Sequence, residues 1–419
     1  MSYGSALGVT TQASCLSRRA FLISSLLLGC APGTRASRAQ RPRSQVELGN
    51  EWSLIGYTEY RTNLPTRYDN QITSRACVVR QDGAGRRVLA EELAREPHSW
   101  TQFAGWSPDA KQAIIGRGWE SPENGAWEEE HKTFRMTEGW LYDMYLLDME
   151  TGKLVNVTGV ERVSSYNAGL FFVPGQSKLG TTSLINGISH PFIMDLDGRN
   201  KKDLTQGTEG FSYGFSASPS GEFVAYHKDY RIVVANRDGS DARKIETGQP
   251  FNFCPQWSPD GNWLLFVSGE HYNCHPYIVR PDGTGLRKLA DRGGYRGVTP
   301  VYDVFDFHGG SSDVPVWSAD GGCVFYTALV NGAVELMCAS LDGRTEQLTH
   351  SQTGTLNYHP KPSCDGHWLA VGSNRTGTRQ LYVMPVNGGP AIPITNVLPG
   401  HGAMWPHWQP EGNRPRAFS

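Results

Sequence analysis

The chain repeats itself, and that repeat limits its fold more than any other feature. Residues 253–291, FCPQWSPDGNWLLFVSGEHYNCHPYIVRPDGTGLRKLAD, read as a strand, a Ser-Pro-Asp-Gly turn, a second strand, a variable loop, a third strand, an Asp-Gly turn and a short fourth strand. Proline presets φ and Asp-Gly supplies tight reversals, so such a segment favours four antiparallel strands. The same grammar recurs at 103–158, 170–205, 215–245, 314–349 and 359–395. A four-stranded unit of about 40 residues is a propeller blade. The ends complete the set. WSLIGYTEYR (52–61), SRACVVRQDG (74–83) and RRVLA (86–90) give three strands with no opening strand, and MWPHWQPEG (404–412) is an opening strand with nothing after it. Pairing them closes the ring and removes two exposed sheet edges. The expected fold is all-β, a seven-bladed β-propeller over residues 48–412 with a short tail at 413–419.

Residues 1–47 read as an export signal and tether. SRRAFLISSLLLGC (17–30) has paired arginines followed by an apolar run too short to span a bilayer. Ser17-Arg18-Arg19-Ala20-Phe21-Leu22 resembles a twin-arginine signal, whose route carries folded proteins. Leu27-Leu28-Gly29-Cys30 resembles a lipoprotein box, in which Cys30 would be acylated and attach the protein to a membrane; an ordinary cleaved signal is the alternative. Each reading places the protein outside the cytoplasm: periplasmic, on the cell surface or extracellular. A net charge of −2 gives no argument for nucleic acid or for an anionic membrane, and a monomer is expected. Beyond the signal region, the cysteines follow no disulfide spacing. Cys323 and Cys338 flank an Asn331-Gly332 turn and could approach each other across a hairpin, with plain packing the simpler reading.

In a propeller, the lead-in to the first strand and the loop between the second and third strands open on one face around the channel. Nine of the 12 histidines sort to that face: His98, His190, His227, His271, His275, His308, His359, His401 and His407. An even scatter would send about half elsewhere, so this face is the expected site. Within it, Cys254, His271, Cys274 and His308 are drawn from one blade and its neighbour. Thiolate and imidazole in mixed sets are zinc ligands, so a divalent metal is expected, with zinc ahead of manganese or calcium. In the fourth blade Tyr213 stands at the channel end of the first strand, and His227, Lys228, Tyr230 and Arg231 follow in the facing loop. A guanidinium can neutralise a carboxylate and a phenol or imidazole can move the proton beside it, which is the chemistry of β-elimination from a uronic acid.

The xWSPDGxxLxFxS units resemble TolB-type repeats across residues 50–410, which implies architecture. The loop residues are also similar to those of the seven-bladed propeller lyases, the oligogalacturonate and ulvan lyases. The first likeness implies His271 as base, Arg231 as the acid-binding group, and His308 and His359 near a metal. The second implies Tyr213, Arg231 and His190 as catalytic residues and the Cys/His group as a zinc site. His98, His227, Lys228 and Tyr230 would bind substrate. One departure stands out: SSYNAG carries Asn167 where the likeness implies a catalytic histidine. Two function classes follow, an exported lyase acting on a uronic-acid-containing polysaccharide and a non-enzymatic periplasmic binding module. A glycoside hydrolase would need paired carboxylates, and among Asp229, Glu270, Asp303, Asp306 and Asp313 no pair stands out; Glu128-Glu129-Glu130 reads as a solvated loop.

Overall fold

The computed structural model describes residues 53–161, 164–165, 167–297 and 312–411. Their strands form seven four-stranded antiparallel sheets. Blade 1 takes Leu54–Arg61, Arg75–Arg80 and Arg87–Val88, and its inner strand is the C-terminal His401–Trp408. Blades 2 to 7 open on inner strands Ser99–Trp106, Phe171–Phe172, Ser212–Ala217, Phe251–Trp257, Val316–Trp317 and Asn357–Pro362. The ring closes as the repeats require: Ile55 pairs with Trp408 and, beyond one register shift, Arg61 pairs with His401.

The turn chemistry explains the repeat. Ser258 Oγ donates to Asp260 Oδ1 at 2.5 Å and accepts from the Trp263 amide at 2.9 Å, while Gly261 takes the left-handed φ of +75°. Ser107 with Asp109, Ser318 with Asp320 and Ser363 with Asp365 repeat the bond. The tryptophan before the turn then ties blade to blade. Trp106 Nε1 donates to the His407 carbonyl at 3.0 Å, Trp317 to Gln256 at 3.2 Å and Trp408 to Lys361 at 2.9 Å, each on the preceding inner strand. Between blades the sheet faces stack apolar side chains, such as Ile55, Tyr57 and Cys77 of blade 1 against Leu381 and Val383 of blade 7. Each fully buried Val or Leu contributes about 1.5–3 kcal/mol of transfer free energy.

A second tie recurs at the opening of the third strand, where one polar residue reaches the backbone of the next inter-blade linker. Glu335 accepts from Ser351 N, Gln380 both accepts from and donates to the Val397 backbone, His275 Nδ1 accepts from Arg292 N, and Arg231 Nη1 donates to the Gln249 carbonyl. Gln249, Ser351 and Val397 each lie two residues past the threonine that ends their blade, and Arg292 two past the matching Ala290. Four different side chains do one job because a buried backbone group needs only a partner of the right polarity.

Blades 1 and 2 carry helices in their second hairpins, Arg67–Gln71 and Pro122–His131. Thr66 and Ser121 cap them, accepting from Asp69 N and Asn124 N, and Pro122 fits the first turn because its missing N–H would be unsatisfied there. All six described cysteines are free thiols, and Cys323 and Cys338 do hydrogen bond as hairpin neighbours.

Candidate functional site

The inner strands do not run straight. In blades 1, 2, 4, 5 and 7 the pairing with the next strand slips by a bulge midway along. In three of them the bulge is a non-glycine residue at left-handed φ followed by proline: Cys254 (+51°), His359 (+50°) and Trp405 (+53°). Proline suits the unpaired position because it has no N–H to lose. Blade 4 has Gly214 instead (φ +65°), and a Cβ there would sit 2.5 Å from the Cys254 Cα, so only glycine lets the two inner strands approach. Backbone held in this region costs of order 1–3 kcal/mol and concentrates at functional sites.

Above the bulges of blades 4 and 5, on the hairpin side, runs a wall of rings. Tyr213 meets His227 edge-on with centroids 5.4 Å apart, and His227 lies parallel to Tyr230 at 6.3 Å. Tyr230 contacts Phe211, Phe251 and Phe253 at 5.0, 4.9 and 5.4 Å. Phe251 meets His271 at 5.1 Å, His271 meets Tyr272 at 4.3 Å, and the Arg296 guanidinium lies 6.0 Å over Tyr272. Phe211, Tyr213, Tyr230 and Phe251 are half-buried and His271 is exposed, so the wall presents ring edges and faces to solvent. His227 is buried, and its Nδ1 accepts the Cys254 amide at 3.4 Å, which leaves the neutral ring's proton on Nε2. Burial, reinforced by Asp229, holds the Tyr230 phenol above its ordinary value.

The structure therefore brings Tyr213, His227, Tyr230 and His271 into one run of contacting rings. Arg231 stands apart in its role: it is exposed and spends Nη1 on the Gln249 carbonyl, 2.8 Å away. His190 opens the third strand of blade 3, where its Nδ1 bonds Thr205 Oγ1 at 2.7 Å with Asp203 at 3.3 Å; Asp143 holds Thr158 in the same way in blade 2. Lys228 binds Thr208, and His98 Nδ1 bonds the Tyr68 hydroxyl at 2.6 Å beneath the helical insertions.

The expected zinc cluster is not assembled by the described residues. No group of three His, Cys, Asp or Glu side chains gathers there to hold a metal. Cys274 turns into the blade interior beside Phe253 and Val267 and donates its S–H to the Glu270 carbonyl at 3.1 Å. Burial pushes that thiol up to about 11, which disfavours the thiolate a metal needs. His271 projects instead from the exposed hairpin tip. The alternation of side chains along a strand separates them: Cys274 is one residue inside the ladder, paired with Gly269, whereas His271 lies in the turn. His308, Asp303, Asp306 and the Cys30 lipid site lie outside the described residues.

Two features escaped the sequence reading. Glu128 is not solvated: it is fully buried on the Pro122–His131 helix, paired with Arg67. Beside it Glu120 is also fully buried, with Oε1 accepting from Asn124 at 2.8 Å and Oε2 without a partner among the described residues. Burial, then the Glu128 charge, raises Glu120 to about 7. A helix N-cap in Ser121-Pro122 was the available signal. The second feature lies past the bulges, where Lys361 and His407 each follow the inner-strand proline. Aligning Cys254-Pro255-Gln256, Val314-Pro315-Val316, His359-Pro360-Lys361 and Trp405-Pro406-His407 would have marked the two basic positions.

This is a seven-bladed propeller built of TolB-like repeats. Residues 222–415 match the PD40 family model, described as TolB beta propeller domain. An uncharacterized protein of Agrobacterium fabrum is 27% identical over 204 residues, covering 47% of this chain; the chain spans 62% of that relative's length. An oligogalacturonate lyase solved in complex with manganese is similar at TM-score 0.52 and 15% identity, over 78% of this chain and 84% of its own. A puromycin-hydrolyzing peptidase of Mycobacterium tuberculosis is similar at TM-score 0.52 and 12% identity, over 82% of this chain and 52% of its own. These likenesses show the fold. A lyase and a peptidase share it, so activity has to be argued from the site.

Proposed function

We propose that the protein is exported and binds an acidic oligosaccharide along the ring wall of blades 4 and 5. The observation that carries this reading is the run of ring contacts from Tyr213 through the buried His227 to Tyr230, Phe251, His271 and Tyr272, most of the rings being half-exposed. Sugar rings have apolar C–H faces that stack on such surfaces, and rigid aromatic side chains lose little entropy when they do. Cationic groups at the rim, Arg296 over Tyr272 and Lys228 beside Thr208, favour uronate over neutral sugar. Export rests on the signal-like residues 17–30, with attachment through an acylated Cys30 or release after cleavage as its two forms. Calorimetric titration with oligogalacturonate and with a neutral oligosaccharide of equal length tests the binding: the acid should bind and the neutral chain should bind far more weakly. Equal binding of both, or of neither, contradicts it.

A second reading, cleavage by β-elimination, is favoured by the Tyr213–His227 pair. With His227 Nδ1 held by a backbone amide, the Tyr213 hydroxyl beside it is the group to which this reading assigns the proton transfer. The base takes the proton α to the carboxylate, the C–O bond at the neighbouring carbon breaks, and the leaving oxygen gains a proton. Arg231 already gives Nη1 to Gln249, and on this reading the substrate carboxylate is held by another cation. Ultraviolet absorbance of the unsaturated product on a uronate polymer decides: Tyr213→Phe should abolish a rate that wild type shows, and no absorbance with wild type leaves binding alone.

A further inference from the structure

Lys361 and His407 lie on adjacent inner strands, each at the position after the bulge proline, toward the Ser-Pro-Asp-Gly end of the channel. The strands are stitched together there, Trp408 Nε1 bonding the Lys361 carbonyl at 2.9 Å and Trp106 Nε1 the His407 carbonyl at 3.0 Å. Lys361 is exposed and His407 half-exposed, so both side chains present surface to an incoming ligand. No carboxylate among the described residues pairs with the Lys361 ammonium. Behind them stands His359, buried on its strained bulge and stacked on Trp405 with centroids 5.8 Å apart. Its Nε2 donates to the Ser312 carbonyl at 3.0 Å, and its Nδ1 is buried with no partner among the described residues.

The charges facing this cluster are of both signs. Arg379 reaches toward His359 from the blade 7 hairpin, and Cys364 adjoins Lys361 from the turn. The carboxylate that faces His359, Asp313, is already saturated. It accepts the His359 amide at 3.1 Å on Oδ1, and the Tyr295 and Thr327 hydroxyls at 3.0 and 2.8 Å on Oδ2. Desolvation holds the Lys361 ammonium below its ordinary value, and desolvation together with Lys361 and His359 holds His407 down to about 3. An ammonium with no paired carboxylate keeps its donors for an incoming anion, and a charge-assisted bond to one is the stronger kind.

We infer that Lys361 and His407, backed by His359, form an oxyanion site in the channel, and that its ligand is a single carboxylate such as a uronic acid bears. An ammonium and an imidazole act as separate point donors, so the site suits one carboxylate end-on rather than a flat bidentate partner. The inference stands apart from the ring wall of blades 4 and 5, because it concerns other blades and is tested with a monosaccharide.

The experiment is calorimetric titration of the full chain with sodium galacturonate, galactose and sodium sulfate, with a melting curve for each variant. Galacturonate should bind and galactose should not. Lys361→Met should weaken galacturonate by about tenfold or more, His407→Gln by about threefold, and Lys361→Arg should retain most of the affinity. Sulfate bound with the same Lys361 dependence, beside galacturonate, supports the oxyanion site. Sulfate without galacturonate overturns the carboxylate assignment. Equal binding of galactose, or unchanged affinity in a folded Lys361→Met, overturns the site itself.

Discussion

The hairpins of blades 1 and 2 and those of blades 4 and 5 rise from the same face of the ring and are built on opposite principles. Over blades 1 and 2, two helices bury charge: Arg67 on Glu128, Glu120 beside them, and Tyr68 on His98. Over blades 4 and 5 the hairpins are short, and the contacts are ring on ring with the rings left half-open. A buried carboxylate raised to about 7 makes the first region answer to pH. The second is a surface of phenyl, phenol and imidazole rings held by ring-on-ring contacts. The first reads as scaffolding that closes over itself, the second as a surface that leaves its best contacts for something else.

Both regions depend on the closed ring, so the largest expected effect comes from breaking it. Deleting residues 403–419 removes Ala403, Met404 and Trp408 from the core and leaves Leu54–Arg61 as an open edge. Gel filtration and circular dichroism should show aggregated or largely unfolded protein; a monomer with an unchanged melting temperature would rule out this closure. Next comes the blade 1–2 cluster. Arg67→Ala strands Glu128 in a fully buried site, and denaturant unfolding should record a loss of about 3–5 kcal/mol.

The pH response follows from the sign of the Glu120 shift. An acid raised from 4.5 to about 7 on folding keeps its proton longer in the native state than in the unfolded chain. Its contribution is therefore fully present below about 4.5 and is lost as pH rises toward 7. Glu120→Gln should raise the melting temperature at pH 8 and flatten its decline between pH 5 and 8, an effect on the order of 2–3 kcal/mol at most. A decline just as steep in the variant would mean that other groups carry it. On the blade 4–5 side, Tyr230→Ala should cost about tenfold in oligosaccharide affinity with no pH trend of its own. The smallest change is expected for Arg231→Gln. The Gln380 tie of blade 7 shows that an amide can hold the linker, so stability should fall by no more than about 1 kcal/mol and ligand affinity should hold.

How much of this was legible in the sequence depended on the range of the interaction. The ring, its seven blades and its closure follow from Ser-Pro-Asp-Gly turns, whose bonds span only a few residues. The site was legible in part. Tyr213, His227 and Tyr230 fall together because strand pairing sets Tyr213 opposite His227. His190, His275 and Arg231 looked like chemistry because histidine and arginine at a hairpin usually attract attention. At their shared repeat position His275 and Arg231, like Glu335 and Gln380, bond the backbone of the next linker, while His190 bonds the Thr205 side chain. The Cys274 thiol was misplaced because one step along a strand reverses the face a side chain takes. Lys361 was passed over, and His407 was counted only among the nine histidines of the expected site face, because their pairing lies in the spacing between two inner strands more than 40 residues apart.

The central claim is that the ring wall of blades 4 and 5 is the ligand surface. It is tested most directly by titrating oligogalacturonate into wild type and a Tyr230→Ala/Phe251→Ala double variant, with an Arg67→Ala variant for comparison wherever it remains folded. The account predicts that the double variant loses about tenfold or more in affinity while Arg67→Ala binds like wild type. Unchanged affinity in a folded double variant, or an equal loss in Arg67→Ala, would contradict it.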